Sequence, residues 1–474
     1  TAMQNSSVNI GGNAVFELAG ADTIGLDVSD NSKVAVDGNY AVSAKATTGE
    51  AKGMGINKSD VQVGGDYVLQ AESASKGMYV NNSQVQIEGA VSITGNSSGA
   101  YGNGIDTQQS TVKMGSAYIK VNSDSAASDV NSLGIYSYWD TNVTVDGDTV
   151  VEVTADKNNV LGLVGYWNST TAIGKSAQIT VSSKQGTATG IKGDSNMTTA
   201  IGGDAVITAA GAGTTRAIQN DAASTFSVGG DALITAISKG GEAYGIDGGA
   251  DIAKSAQITV SSLGGTSANN KELWHINGIK NWVGTTTKIG EDALIDVTAD
   301  ISSARGVYVW TGDTAKASKA EINGNAIVTV KNAEGSIIAH GFDANEACQI
   351  TVGKSAQITI AAGSDNSKGI YGHEAGSKIS IGKDAFITIS GAADNDAEVY
   401  YARGITSESG AEVTIGGNVV TNVSGESAYG LEAFRGAGKP DVRDAEITIA
   451  GNYGAAVQAS SADAKGIWTE SGGK

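Results

Sequence analysis

Apolar and polar residues alternate in short bursts along this chain, and the bursts recur. Lys378-Ile379-Ser380-Ile381 places apolar side chains at every second position, the period of a strand with one buried face. A glycine-containing corner follows. A second alternating run then puts Ala385, Ile387 and Ile389 on one face and Phe386 and Thr388 on the other. The same phrase reads IGGNAVFEL from Ile10, VGGDYVLQA from Val63, IGKSAQITV from Ile173, IGGDAVITA from Ile201 and IGEDALIDV from Ile289. Each copy is followed by a loop and a third short element, a glycine and then an apolar residue, as at Gly104-Ile105, Gly190-Ile191, Gly369-Ile370 and Gly404-Ile405.

Copies centred on Ile10, Val36, Val63, Ile87, Met114, Val145, Ile173, Ile201, Val228, Ile252, Ile289, Ile322, Val352, Ile381, Ile415 and Ile449 make about sixteen units. Their mean period is roughly 29 residues, within the range of solenoid repeats. Three strands per unit make each unit one turn of a three-sided coil. Equivalent strands then stack as parallel sheets about 4.8 Å apart. The expected fold is therefore all-β, a right-handed parallel β-helix (solenoid) of about sixteen three-strand rungs, continuous over residues 1–474.

Composition agrees with that pattern. Glycine is 66 of 474 residues and proline 1, so nearly every backbone N–H remains available to a continuous hydrogen-bonded sheet. The formal net charge of −19 argues against nucleic acid as a partner, because phosphate neutralisation needs clustered Lys and Arg. Cys348 is the single cysteine, which excludes an internal disulfide and a thiolate metal cluster. No apolar run is long enough to span a membrane.

Variation falls in the loops. The period is 24 residues from Val63 to Ile87 but 37 from Ile252 to Ile289. The largest insertion, 261–288, holds Trp274, His275 and Trp282. Variable loops on a constant scaffold are where binding is usually placed. Trp139, Trp167, Trp282, Trp310 and Phe434 each fall three or four residues after the apolar residue of the third element. Tyr136, Tyr308 and Tyr371 follow that residue directly. Equal phase in a solenoid means one edge, so these rings are candidates for a stripe that holds sugar rings or a partner protein. They would otherwise shield the end of the third strand.

Motifs for chemistry are weak. Gly174-Lys175-Ser176 and Gly353-Lys354-Ser355 mimic the end of a phosphate-binding loop but lack its upstream glycine and its following helix. His275, His340 and His373 have no spaced partner that would make a metal motif. No nucleophile elbow occurs; Gly193-Asp194-Ser195-Asn196 comes nearest. Acid–base cleavage of a polysaccharide would need Asp, Lys and Arg gathered on neighbouring rungs, whereas acids are scattered through nearly every corner and read as solvated. No catalytic residue, metal or cofactor is assigned.

The IGGDA-type corners occur together with Ala-Tyr-Gly-apolar phrases at Ala243-Tyr244-Gly245-Ile246 and Ala428-Tyr429-Gly430-Leu431. This texture resembles the passenger regions of bacterial autotransporters over essentially the whole chain. The resemblance implies a passenger displayed outside the cell at the outer membrane and acting in adhesion, aggregation or biofilm formation. Its partner would be a host or bacterial surface glycan or protein, or a second copy of itself. The family's signal and membrane barrel are missing here, so the chain is expected to be a fragment of a longer one. The alternatives are a subunit stacked end to end into an extracellular filament or surface layer and, last, a polysaccharide-degrading enzyme.

Overall fold

The computed structural model describes residues 5–73, 75–97, 102–124, 131–263, 275–300, 303–391, 401–435, 444–460, 462–470 and 473–474, apart from the side chains of 75, 333–337 and 363–365. It shows a parallel β-solenoid in two compact units, Thr1–Ala232 and Leu233–Lys474, each built from the same three-strand turn. Among the described residues, the short strand that opens a turn stands alone seven times in the first unit, from Ser7–Ile10 to Thr225–Val228, and twice begins a longer strand, in Gln84–Ser97 and Thr111–Ser123. It occurs seven times in the second, from Ala250–Ile252 to Glu446–Ile449. The apolar corner residues that mark the units in the sequence close these strands, except Ile87 and Met114, where the strand runs on through the corner. The one short helix among the described residues is a 3-10 turn at Thr314–Lys316, and no helix is long and apolar enough to cross a membrane.

The turn formed by Thr170–Ile173, Ala177–Ser183 and Ala188–Asp194 represents the first unit. Its strands pair in parallel and in register with the turns on either side. Ile173 lies between Val145 and Ile201, Ile179 between Val151 and Ile207, and Ile191 between Leu163 and Ile218. Like therefore stacks on like. Ile173, Ile179, Val181 and Ile191 are buried. Each contributes about 1.5–3 kcal/mol over its exposed state. Gln178, between the inward residues, is exposed. The second unit repeats the arrangement, with Ala356, Ile358 and Ile360 on Ala385, Ile387 and Ile389.

The glycine of the third strand has a steric cause. A Cβ on Gly162 would lie 2.5 Å from both the Gly190 carbonyl oxygen and Ile179 Cγ2; one on Gly190 would lie 2.5 Å from the Ala217 oxygen and 2.6 Å from Ile207 Cγ2. Here the strand turns two successive residues inward, the glycine and its apolar successor. The residue before the glycine and the second one after it are thereby aimed outward.

The corners are held by side-chain ladders rather than left to solvent. Asp148 Oδ1 accepts the N–H of Ser176 (3.1 Å), Ser176 Oγ that of Asp204 (3.3 Å), and Asp204 Oδ1 that of Asp231 (2.9 Å). In the second unit Asp384 Oδ1 accepts from Asn418 N (2.7 Å) and Asn418 Oδ1 from Asn452 N (2.9 Å). A serine ladder runs along another corner, Ser59 N donating to Ser83 Oγ and Ser83 N to Ser110 Oγ. The corner acids, expected to be merely solvated, thus satisfy backbone donors that the strands leave over.

Candidate functional site

Two clusters stand on the outward face of the third strands, one in each unit. In the first unit, Asn131–Tyr138 and Asn159–Tyr166 pair with Tyr138 opposite Tyr166. The chain then turns through left-handed residues: Trp139 (φ 44°) and Asp140 (48°) in one turn, Trp167 (49°) and Asn168 (58°) in the next. Left-handed backbone costs a residue with a Cβ about 1–2 kcal/mol. Hydrogen bonds between turns hold it: Gln109 N donates to Trp139 O (2.9 Å), Asp140 N to Trp167 O (3.0 Å) and Asn168 N to Ser195 O (3.1 Å). Thr141 and Ser169 hydroxyls close the same turns on the Tyr138 and Tyr166 carbonyls.

The result is a contiguous platform of five rings. Ring centroids are 4.3 Å apart for Tyr138–Trp139, 4.8 Å for Tyr138–Trp167, 5.6 Å for Trp139–Trp167, 5.8 Å for Tyr166–Trp167 and 6.0 Å for Tyr136–Tyr166. Trp139 and Trp167 keep 42% and 43% of their surface exposed, so shielding of the strand end does not use them up. Beside the rings runs a polar line in which Asn168 Nδ2 donates to Asp140 Oδ1 (3.2 Å) and Asn196 Nδ2 to Asn168 Oδ1 (3.1 Å). Burial raises the Tyr136 hydroxyl above its ordinary range, with Tyr166 adding to the effect.

The second unit distributes its rings differently. Trp282, 39% exposed, and Trp310 are register neighbours at the ends of His275–Trp282 and Ser303–Trp310. They end the strand proper, in the column that Tyr138 and Tyr166 occupy in the first unit, one residue earlier than Trp139 and Trp167. The column then continues through Asn345, His373 and Glu408 to Phe434, which packs on Trp468 at 6.1 Å. Trp274 and 264–274 of the insertion lie outside the described residues.

Tyr308, Tyr371 and His275 belong to a second cluster, a seam of charges one column inward. Residues just before the third-strand glycine stack as Arg305, His340, Lys368 and Arg403; those two after it stack as Tyr308, Asp343, Tyr371, Thr406 and Glu432. Arg305 Nε bonds Asp343 Oδ2 (2.9 Å), which also receives His340 Nδ1 (2.8 Å). Arg305 Nη1 lies 3.3 Å from His275 Nδ1, and its guanidinium sits over the Tyr308 ring at 4.6 Å. Lys368 Nζ sits 3.1 Å above the centre of the Tyr371 ring. Tyr371 stacks on His373 (4.6 Å) and donates to Glu408 Oε2 (2.8 Å). Arg403 Nε is 2.7 Å from Glu432 Oε2, which also accepts from Thr406 (3.2 Å).

Almost all of this is covered: His340 and Asp343 are 2% exposed and Glu432 1%. Burial lowers His340 to about 4 against the pull of Asp343, so the ring is neutral at pH 7 and its Nδ1 carries the proton given to the carboxylate. Burial opposes the charge on Asp343, but His340 and Arg305 outweigh it and hold the carboxyl well below the usual range. Burial, then Arg403, push Lys368 down to about 7; burial raises Glu432 despite Arg403 and Lys368. His340 Nε2, Asp343 Oδ1 and Glu432 Oε1 are buried without a hydrogen-bond partner. Among the described residues no group of three or more His, Cys, Asp or Glu could hold a metal ion.

No family model, curated protein or solved structure matches this chain. Sequence reasoning placed Trp139, Trp167 and Tyr136 on one edge but omitted Tyr138 and Tyr166, and it missed the charged seam altogether. The signal was present: aligning the third elements on their glycine puts Arg305, His340, Lys368 and Arg403 in one column. The phosphate-loop mimic at 174–176 is a corner whose N–H groups are taken by Val145 O, Gly147 O and Asp148 Oδ1, leaving none for a phosphate.

Proposed function

We propose that this chain is a non-catalytic adhesive passenger of the autotransporter type, displayed outside the cell and holding a surface glycan through the platform of Tyr136, Tyr138, Trp139, Tyr166 and Trp167. The supporting observation is the pair of indoles held two-fifths exposed on strained turns. Strain retained in a well-packed scaffold is characteristic of ligand sites, and clustered exposed aromatics favour a partner surface. The repeat texture that resembles autotransporter passengers supports display at the outer membrane in adhesion, aggregation or biofilm formation.

Trp139→Ala with Trp167→Ala should abolish adhesion to glycan-coated surfaces while the far-UV circular dichroism spectrum stays that of the parent. Undiminished adhesion would remove the platform from the reading. A second reading has one observation behind it. The seam gathers Asp343, Lys368, Arg305 and Arg403 on neighbouring rungs, as acid–base cleavage of a polysaccharide requires. Their near-complete burial favours binding over cleavage, and release of new reducing ends from polysaccharide would reverse that preference.

A further inference from the structure

The left-handed turn that presents Trp139 and Trp167 is the continuation of a row. Asn31 (φ 62°), Lys58 (49°), Asn82 (48°) and Gln109 (47°) occupy the same corner of the preceding rungs. Beside them lies an open groove of about 440 Å³, with the buried hydroxyl residues Ser32, Ser59 and Ser83 beneath and Lys33, Asp60, Gln84 and Thr111 along its side. The groove leads to the platform, since the N–H of Gln109, its last turn residue, is bonded to the carbonyl of Trp139.

We infer that groove and platform form one extended site for a linear, neutral polysaccharide laid across successive rungs. This rests on the platform reading above and adds the ligand's form and charge. Lys58, Asn82, Gln84 and Gln109 are exposed and make no side-chain hydrogen bond among the described residues. Amides offer both donors and acceptors, as ring hydroxyls require. The groove carries no apolar side chain, which disfavours a lipid or a hydrophobic peptide. Its polar groups recur once per rung, about every 4.8 Å, so a repeating ligand meets an equivalent group at each step. From Asn31 to Trp167 the corner crosses six rungs, a span of about 24 Å, room for several linked pyranose rings. A polyanionic chain is disfavoured by the net charge of −19, and Asp140 beside the rings acts in the same direction.

Calorimetric titration of the whole chain with cello-oligosaccharides, from the disaccharide to the hexasaccharide, tests this. Affinity should rise with length. Asn82→Ala with Gln109→Ala should weaken the hexasaccharide roughly tenfold and leave the disaccharide unchanged. Trp139→Ala with Trp167→Ala should remove both. Hydroxyethyl cellulose should bind better than carboxymethyl cellulose, which carries charge on the same backbone. Binding that ignores length and the groove substitutions overturns the extended site while leaving the platform intact. Stronger binding of the carboxymethyl polymer overturns the neutral ligand. No saccharide binding by the unaltered chain overturns the platform reading with it.

Discussion

Replacing Asp343 with leucine should destabilise the second unit by about 3 kcal/mol. The estimate comes from what would remain. Arg305 is 8% exposed at its side chain and its Nε meets Asp343 at 2.9 Å. Removing one partner of a buried ion pair costs about 3–5 kcal/mol, because the other charge stays buried and unpaired. The Tyr308 face, 4.6 Å from the guanidinium, gives back about 1 kcal/mol. His340 also loses the acceptor of its Nδ1 proton. The double variant Arg305→Leu with Asp343→Leu removes both charges and should return to within about 1 kcal/mol of the parent, since an apolar pair of similar volume often replaces a buried bridge without loss. Rungs of a solenoid open locally, so amide hydrogen exchange across 303–310 and 338–345 is the appropriate measurement. Single substitutions that each cost under about 0.5 kcal/mol, in the range of ordinary surface changes, would refute the idea that the seam holds these rungs together.

Acid should weaken the second unit. His340 titrates near 4 when folded and near 6.5 when unfolded, so the unfolded chain takes up a proton the folded one refuses as pH falls through that window. His340 accounts for up to about 3 kcal/mol of that loss. His340→Gln should make the melting temperature fall less steeply between those pH values, a slope to which His275, which burial and then Arg305 also lower to about 4, contributes as well. Gly162→Ala should destabilise the first unit by about 1–3 kcal/mol in urea, whereas Gly12→Ala, whose Cβ meets nothing within 4 Å, should not. Asp384→Ala should cost about 1 kcal/mol through the lost Asn418 N–H bond. Asp384→Asn should retain that stability in thermal melts, because an oxygen, not a charge, is needed.

The strands, their register and the inward columns were legible because period-2 alternation and the corner glycines report purely local requirements. Leu161, Thr189 and Arg216 show why the outward face was harder. They stack in register at the position before the third-strand glycine, whose place Ala217 takes after Arg216, yet lie almost thirty residues apart, and nothing in any one segment reveals the neighbour above. Arg305 and His340 are separated by a loop of different length again, so their column emerges only once the glycines are aligned. The platform was half legible for the same reason. Trp139 and Trp282 have nearly the same phase, but one stands in a left-handed turn and the other ends a strand, an offset of one residue that alternation cannot resolve. The corner acids looked interchangeable with any solvated carboxylate, because their backbone acceptor role depends on the next rung.

The in-register ladders also determine how each unit bears force. Hydrogen bonds between rungs point along the stacking direction, so tension along it loads one rung at a time and peels turns off the end. A turn of 28 residues, such as Ile173 to Ile201, would release on the order of 90 Å of chain, a step that single-molecule pulling would register. A glycan held at Trp139 and Trp167, as proposed above, would pull across the stack instead. That load would be shared by the bonded turns from Gln109 to Ser195, so the strained corner would hold a ligand without unzipping the stack.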